Sequence, residues 1–216
     1  MNSKDYWDNK IIEWEDSLQN PKKVSFIESL ASKFRKPLKI RRAMCFDLLK
    51  KVGKGKTILE LGCGSGYFAI NVLQKIKPKK IIGMDISSSA IQRANKLKKE
   101  LHLPNNIEFI EGDTTIENLP KAEITIGLGF LDYLTKNEIR ALIKKINSKY
   151  VIFTFSEKKV SLKRYLHIAY LISQRCPKHH YYTKKEIASL IKERYKNVRI
   201  ISGRKLMFGC IIHNLE

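Results

Sequence analysis

The sequence predicts an α/β fold built on a doubly wound, mostly parallel sheet. Three observations carry that prediction. Strand-like apolar runs alternate with helix-period segments from residue 56 to about 156, the pattern of a parallel sheet covered on both faces. A glycine-rich turn, Gly62-Cys63-Gly64-Ser65-Gly66, joins the first such strand to the first such helix. Acids then stand at the ends of successive strands, where open α/β sheets hold their ligands.

The elements follow in order. Residues 4–19 carry Tyr6, Trp7, Ile11, Ile12, Trp14 and Leu18 near helical spacing. Val24 to Phe34 reads as a second helix, with Pro37 marking the break before a third. That third helix, 38–52, carries Leu38, Ile40, Ala43, Met44, Phe46, Leu48 and Leu49, and Gly53 stops it. Thr57-Ile58-Leu59-Glu60-Leu61 is a buried strand, and Lys80–Asp85 is the second. Ser87 caps the helix that follows. Ile107–Glu111 leads through Gly112 to Asp113, and Ala122–Phe130 leads into Leu131-Asp132-Tyr133-Leu134. Thr135-Lys136-Asn137-Glu138 is a capping box for the next helix. The fifth strand is Tyr150–Phe155. Residues 157–180 then interrupt the regularity with a helix over about 160–174, its apolar stripe flanked by lysines and arginines. A second capping box, Thr183-Lys184-Lys185-Glu186, opens a helix to about 195, and two strands close the chain near 197–202 and 206–212. The expected organisation is a helical extension, 1–37, acting as a lid or cap, followed by the main domain, 38–216.

Composition narrows the function. The 216 residues suit one α/β domain. No apolar run approaches the ~20 residues of a membrane span, and the first residues lack the apolar core of a signal peptide. Cys45, Cys63, Cys176 and Cys210 are scattered, the pattern of reduced thiols in a cytoplasmic protein rather than of a disulfide frame or a metal site. Lys plus Arg number 42 against 21 Asp plus Glu, a net charge of +21. Such a field favours anionic partners: nucleic acid, an acidic membrane surface or an anionic small molecule.

The G-x-G-x-G spacing at 62–66 fits neither the dinucleotide fingerprint, which wants its third glycine where Tyr67 stands, nor a phosphate-binding P-loop. With Glu60 two places ahead and Asp85 and Asp113 closing the next two strands, it resembles motif I and the following motifs of the class I S-adenosylmethionine (SAM) methyltransferases. Singly, each strand-end acid also suits a helix cap or turn; together they carry the resemblance. It covers about residues 38–213 and implies a Rossmann-like sheet of seven strands, one of them antiparallel, with N-terminal helices and a helical insertion after strand five. It implies SAM as cofactor and S-adenosylhomocysteine (SAH) as product. The cofactor residues it implies are Glu60, Gly62, Cys63, Gly64 and Gly66 in the turn, with Asp85 and Ile86 at ribose and adenine. Asp113 and Thr114 fall at the adenine amino group, and Leu128 and Phe130 at the methionyl part. Arg42, 20 residues ahead of the first glycine, falls where related O-methyltransferases place the partner of the cofactor carboxylate.

Within that class, the N-terminal helices, the Gly-Phe-Leu-Asp-Tyr-Leu stretch and the basic insertion resemble the magnesium-protoporphyrin and ubiquinone-type O-methyltransferases and related sugar methyltransferases. The resemblance implies methyl transfer to a hydroxyl or carboxyl oxygen of a small, anionic, lipid-like or sugar-like acceptor. A protein working in the cytoplasm, peripheral to a membrane, fits that acceptor. Asp132, His179 and His180 are the candidate acid–base residues, and Tyr133, His167 and Tyr181 the candidate acceptor contacts. No metal site is expected. Two alternatives remain open on sequence: an RNA methyltransferase, favoured by charge alone, and a non-catalytic SAM-binding protein. The Asn/Asp-Pro-Pro-Tyr/Phe tetrapeptide of many N-methyltransferases is replaced by Gly127-Leu128-Gly129-Phe130.

Overall fold

The computed structural model describes residues 4–11, 26–176 and 178–215. The expected helix over 4–19 is seen as helix α1, residues 4–11; Ile12, Trp14 and Leu18 lie outside the described residues. Helix α2 (Phe26–Val52) follows. Seven strands come next: β1 (Thr57–Leu61), β2 (Lys80–Asp85), β3 (Ile107–Glu111), β4 (Ile124–Gly127), β5 (Tyr150–Ser156), β6 (Arg199–Ile201) and β7 (Gly209–His213). Between them run α3 (Tyr67–Ile76), α4 (Ser88–Glu100), α5 (Lys136–Lys145), α6 (Leu162–Ser173) and α7 (Lys184–Lys192).

The sheet order is β3-β2-β1-β4-β5-β7-β6. Strands β1 to β5 pair in parallel, and β7 runs antiparallel to both β5 and β6. The expected single antiparallel strand is therefore β7. The chain builds outward from β1 through β2 to β3, then crosses back to β4. That reversal leaves a crevice beyond the carboxyl ends of β1 and β4, the place where such sheets bind ligands.

Alternating side chains feed two cores. Ile58, Ile81, Ile107, Ile124 and Ile152 meet Leu49 of α2, Phe68 and Val72 of α3 and Ala94 of α4. On the other face Leu59, Ile82, Val151, Phe153 and Phe155 meet Ile139 and Leu142 of α5 and Ile187 and Leu190 of α7. Each fully buried side chain of this size contributes roughly 1.5–3 kcal/mol, which fixes the strand ends that carry the site. Both expected capping boxes are present, at Thr135/Glu138 and Thr183/Glu186, and Ser87 accepts from the Ala90 amide.

One expected boundary is not there. Helix α2 runs unbroken through Pro37, so residues 26–52 form one element instead of two. An interior proline loses one intrahelical hydrogen bond and crowds the preceding turn. Here that cost is offset by burial: Pro37 is a buried residue on a cavity wall, on a face shared with Leu38, Arg41, Cys45 and Leu48.

Candidate active site

A cavity of about 890 Å³ opens at the crevice, toward the upper end of the ~300–1,000 Å³ typical of small-molecule sites. Strand order divides its wall into two halves.

The first half lies over the tips of β1 to β4. Gly62, Asp85, Ile86, Asp113, Thr114, Leu128 and Phe130 line it. The turn below them needs its glycines. Gly66 sits at φ +77°, and a Cβ there would come within 2.4 Å of the Phe109 ring, so no other residue fits. The Gly64 amide donates to Asp85 Oδ2 at 2.8 Å and the Ser87 amide to Asp85 Oδ1 at 2.9 Å. Two backbone donors thus fix the Asp85 carboxylate at the end of β2, on the cavity wall. Asp113 uses Oδ1 to accept from the Thr115 amide and hydroxyl, which sets the turn after β3. Glu60 and Cys63 are buried behind the turn, off the cavity wall.

Helix α1 closes this half. Asp8 Oδ1 accepts from the Ser87 hydroxyl at 2.8 Å and the Ser89 amide at 3.1 Å, at the start of α4. Lys4 pairs with Glu111 at the end of β3, and Lys4, Trp7 and Ile11 face the cavity.

The second half lies beyond β4 and β5, lined by Arg41, Asp132, Tyr133, Ser156, His167, Tyr170, His179 and Phe208. Asp132 is 4% exposed and its carboxylate accepts twice from Ser156, from the amide at 2.6 Å and the hydroxyl at 2.9 Å. Burial raises its pKa to about 6, against the pull of the Arg41 charge. His179 Nε2 stands 3.8 Å from Asp132 Oδ2, while its buried Nδ1 has no hydrogen-bond partner among the described residues. His167 Nδ1 is 2.6 Å from the Tyr181 hydroxyl. The His167 ring packs against His179 and Phe208, and the His179 ring against Tyr133. Burial pushes His167 down to about 4 and His179 to about 3, assisted by the Arg41 charge, so both rings are neutral bases near pH 7.

Arg41 dominates the electrostatics here. It is 7% exposed, and its Nε and Nη1 have no hydrogen-bond partner among the described residues. Burial lowers its pKa, with Asp132 as the chief opposing charge. The strand-β7 backbone lies flat beneath it: a Cβ on Gly209 would come within 2.7 Å of the Arg41 Cδ and Nε. A buried guanidinium with unused donors is costly unless a ligand anion completes it.

Other expected residues sit elsewhere. Arg42 lies off the cavity wall, with its guanidinium 5.7 Å from the centroid of Phe68, just past the glycine-rich turn. His180 is also off the wall: its ring stacks on Tyr182 and its amide donates to the Asp132 carbonyl. Tyr181 supports His167 from behind rather than lining the cavity. Sequence reasoning passed over Arg41, Trp7, Ser156 and Phe208. Arg41 alone left a signal, a cation on the apolar face of its helix, in register with Leu38, Cys45 and Leu48.

Comparison with known proteins agrees with this geometry. A family model described as a methyltransferase domain matches residues 52–194. The chain belongs to this family. It is a class I SAM-dependent methyltransferase domain, and its sheet order is the one that class requires. The ribosomal protein L11 methyltransferase of Vibrio campbellii is 35% identical over 89 residues, which cover 36% of this chain and 29% of that protein. A bifunctional methyltransferase of Rickettsia felis is 30% identical over 101 residues, covering 46% of this chain and 19% of that one. The chain thus spans less than a third of the length of these curated relatives. Among solved structures, the magnesium protoporphyrin IX methyltransferase of Synechocystis PCC 6803 with bound SAH superposes with a TM-score of 0.72. It is 17% identical, over 97% of this chain and 96% of that one. A candidate O-methyltransferase from Nostoc punctiforme PCC 73102 gives a TM-score of 0.67 at 14% identity, over 87% and 58% of the two chains.

Proposed function

We propose that this chain transfers the methyl group of SAM to an oxygen of a small anionic acceptor, and that this oxygen belongs to a carboxylate. The observation that carries the reading is Arg41, buried with unused donors in the half of the cavity away from Asp85.

The residues fit the cofactor. SAM offers a ribose diol, an adenine amino group and a methionyl carboxylate. Asp85 would accept from the diol, Ile86 would pack on the adenine, and Asp113 and Thr114 would face the adenine amino group. Leu128 and Phe130 would flank the methionyl chain. Arg42, off the cavity wall and beside Phe68 near the start of α3, would have to swing inward to meet its carboxylate. When bound, SAM supplies an electrophilic methyl carbon on a sulfonium and departs as SAH.

The chain's own part is to orient and to exclude water. Helix α1 covers the first half through Trp7 and Ile11, and the aromatic ring cluster walls the second. Arg41 would hold a carboxylate through its planar fork, which aims one oxygen while the guanidinium charge keeps the group ionised. No base is needed for an acceptor already ionised near pH 7. That suits the residues present: the Asp132 carboxylate is occupied by Ser156, and His167 by Tyr181. His179 Nδ1 is the one available nitrogen of this group, and a ring held at about 3 takes a proton poorly. Asp132 is therefore a positioning residue that holds His179 and the Arg41 field in place.

Labelled SAM offered with a panel of aromatic and aliphatic carboxylic acids tests this reading. A methyl ester releases labelled methanol in mild alkali, whereas an ether or N-methyl product does not. Alkali-labile label is the expected result. Label found only in RNA or in protein side chains, stable to alkali, overturns it.

A further inference from the structure

Helix α6 is apolar on two opposite faces. His167, Tyr170 and Leu171 point into the cavity and roof its second half. The opposite face carries Leu162, Tyr165, Leu166, Ala169 and Ile172, which follow one another at helical spacing along a single stripe. Leu162 is 74% exposed and Ile172 71%, and Val160 just ahead of the helix is 80% exposed. Not one residue of α6 is fully buried. A surface helix ordinarily turns its polar side to water, so a helix with two opposite apolar faces calls for cover on both. The cavity is one cover; among the described residues nothing covers the other face.

We infer that this outer face of α6 docks on an anionic lipid bilayer. Charge selects the occupant. From Lys158 to Lys185 there is no aspartate or glutamate, while Lys158, Lys159, Lys163, Arg164, Arg175 and Lys178 flank the stripe. An apolar stripe with basic flanks is the pattern of an interfacial helix, where side chains enter the acyl boundary and cations meet acidic headgroups. A second copy of this chain is a poor mate, because two such faces would bring like-charged flanks together. Nucleic acid answers the cations but leaves Val160, Leu162 and Ile172 in water. No helix among the described residues is long and apolar enough to cross a membrane, so the contact is one of lying on the surface. The same helix roofs the half of the cavity that holds Arg41. If the methyl-transfer reading above is right, an amphiphilic acid can then pass from the lipid beneath α6 without crossing water.

The test is sedimentation with vesicles of phosphatidylcholine and phosphatidylglycerol mixed at about three to one. The protein should pellet with these vesicles and remain in solution with pure phosphatidylcholine. Molar salt should release it, because surface charge is then screened within about 3 Å. Leu162→Glu with Ile172→Glu, both exposed and off the cavity wall, should cut vesicle affinity at least about tenfold, or ~1.4 kcal/mol. Calorimetry with SAH on the same variant should match the parent, which shows that the fold is intact. The proposal is overturned if the parent protein ignores anionic vesicles or if the double variant binds as well as the parent. A dimer that the double variant dissolves in the absence of lipid overturns it too. Failure of the parent to bind SAH would instead count against the methyl-transfer reading and leave the vesicle result standing.

Discussion

Replacing Arg41 by methionine should make the ligand-free protein more stable. Arg41 is 7% exposed, its Nε and Nη1 are unpartnered, and the nearest opposing charge, Asp132, is already committed to Ser156. Burying such a cation costs several kcal/mol that only partial pairing returns, and even exchanging a whole buried ion pair for apolar groups of similar volume is often neutral or gains about 1–4 kcal/mol. Methionine has the length and flexibility to lie along Gly209 where the arginine stem now runs. For a chain of this size each kcal/mol is worth about 2–4 °C in the melting temperature. Differential scanning calorimetry of the ligand-free Arg41→Met variant should therefore show a rise of several degrees. SAH affinity should stay within a few-fold of the parent, because this guanidinium faces the other half of the cavity. Methyl transfer to the carboxylate acceptor should fall by a factor corresponding to about 2–5 kcal/mol, the scale of losing one partner of a buried charge pair. A melting temperature lowered by the equivalent of about 3–5 kcal/mol would refute the argument, since that is the signature of breaking a true Arg41–Asp132 ion pair.

Three further predictions follow from the same geometry. Gly209→Ala places a methyl within 2.7 Å of the Arg41 side chain; it should displace the guanidinium and reproduce the transfer defect of Arg41→Met with SAH binding kept, read by the same two assays. His167 and His179 are held neutral at about 4 and about 3, whereas the unfolded chain protonates them near 6.5. Stability from these rings is therefore present above about pH 6.5 and lost as the pH falls toward their folded values. Denaturant titrations should show a His167→Gln/His179→Gln variant losing up to about 2.7 kcal/mol per pH unit of that acid slope. Asp132, raised to about 6, acts in the opposite direction: its burden grows as the pH rises from about 4 through about 6. Asp8→Ala removes the acceptor that ties α1 to Ser87 and Ser89, so amide exchange over residues 4–11 should quicken about five- to tenfold, matching the ~1 kcal/mol of a lost cap.

How far the sequence reached depended on how local each cause is. Strands β1 to β5, the turn at 62–66 and three helix caps were legible because glycine geometry, apolar runs and capping residues act within a few positions. The acids at Asp85 and Asp113 were legible for the same reason. Pro37 misled because proline's local preference was overridden by burial of its ring in the cavity wall, a tertiary effect. Of the two neighbouring arginines, spacing singled out Arg42, yet it is Arg41 that reaches the cavity, and only the packing of α2 on β7 and the turn before it decides which one turns inward. His179 and His180 are adjacent in sequence, yet only His179 lines the cavity. Their chain there lies outside regular structure, so no period could assign a face. The outward apolar face of α6 was readable as a stripe, but which side of the helix the domain covers was not.

The central claim is that the carboxyl edge of β1 to β3 holds a SAM-type cofactor through a carboxylate preset by backbone amides. Isothermal titration of the full chain with SAH tests it most directly, with Asp85→Ala alongside. The account predicts one site per chain with a dissociation constant in the micromolar range or tighter, about −8 kcal/mol. Asp85→Ala should weaken it by about 1.5–3 kcal/mol, the scale of hydrogen bonds to a charged group. A parent protein that gives neither heat nor a thermal shift with SAH, or an Asp85→Ala variant that binds it unchanged, would contradict the account.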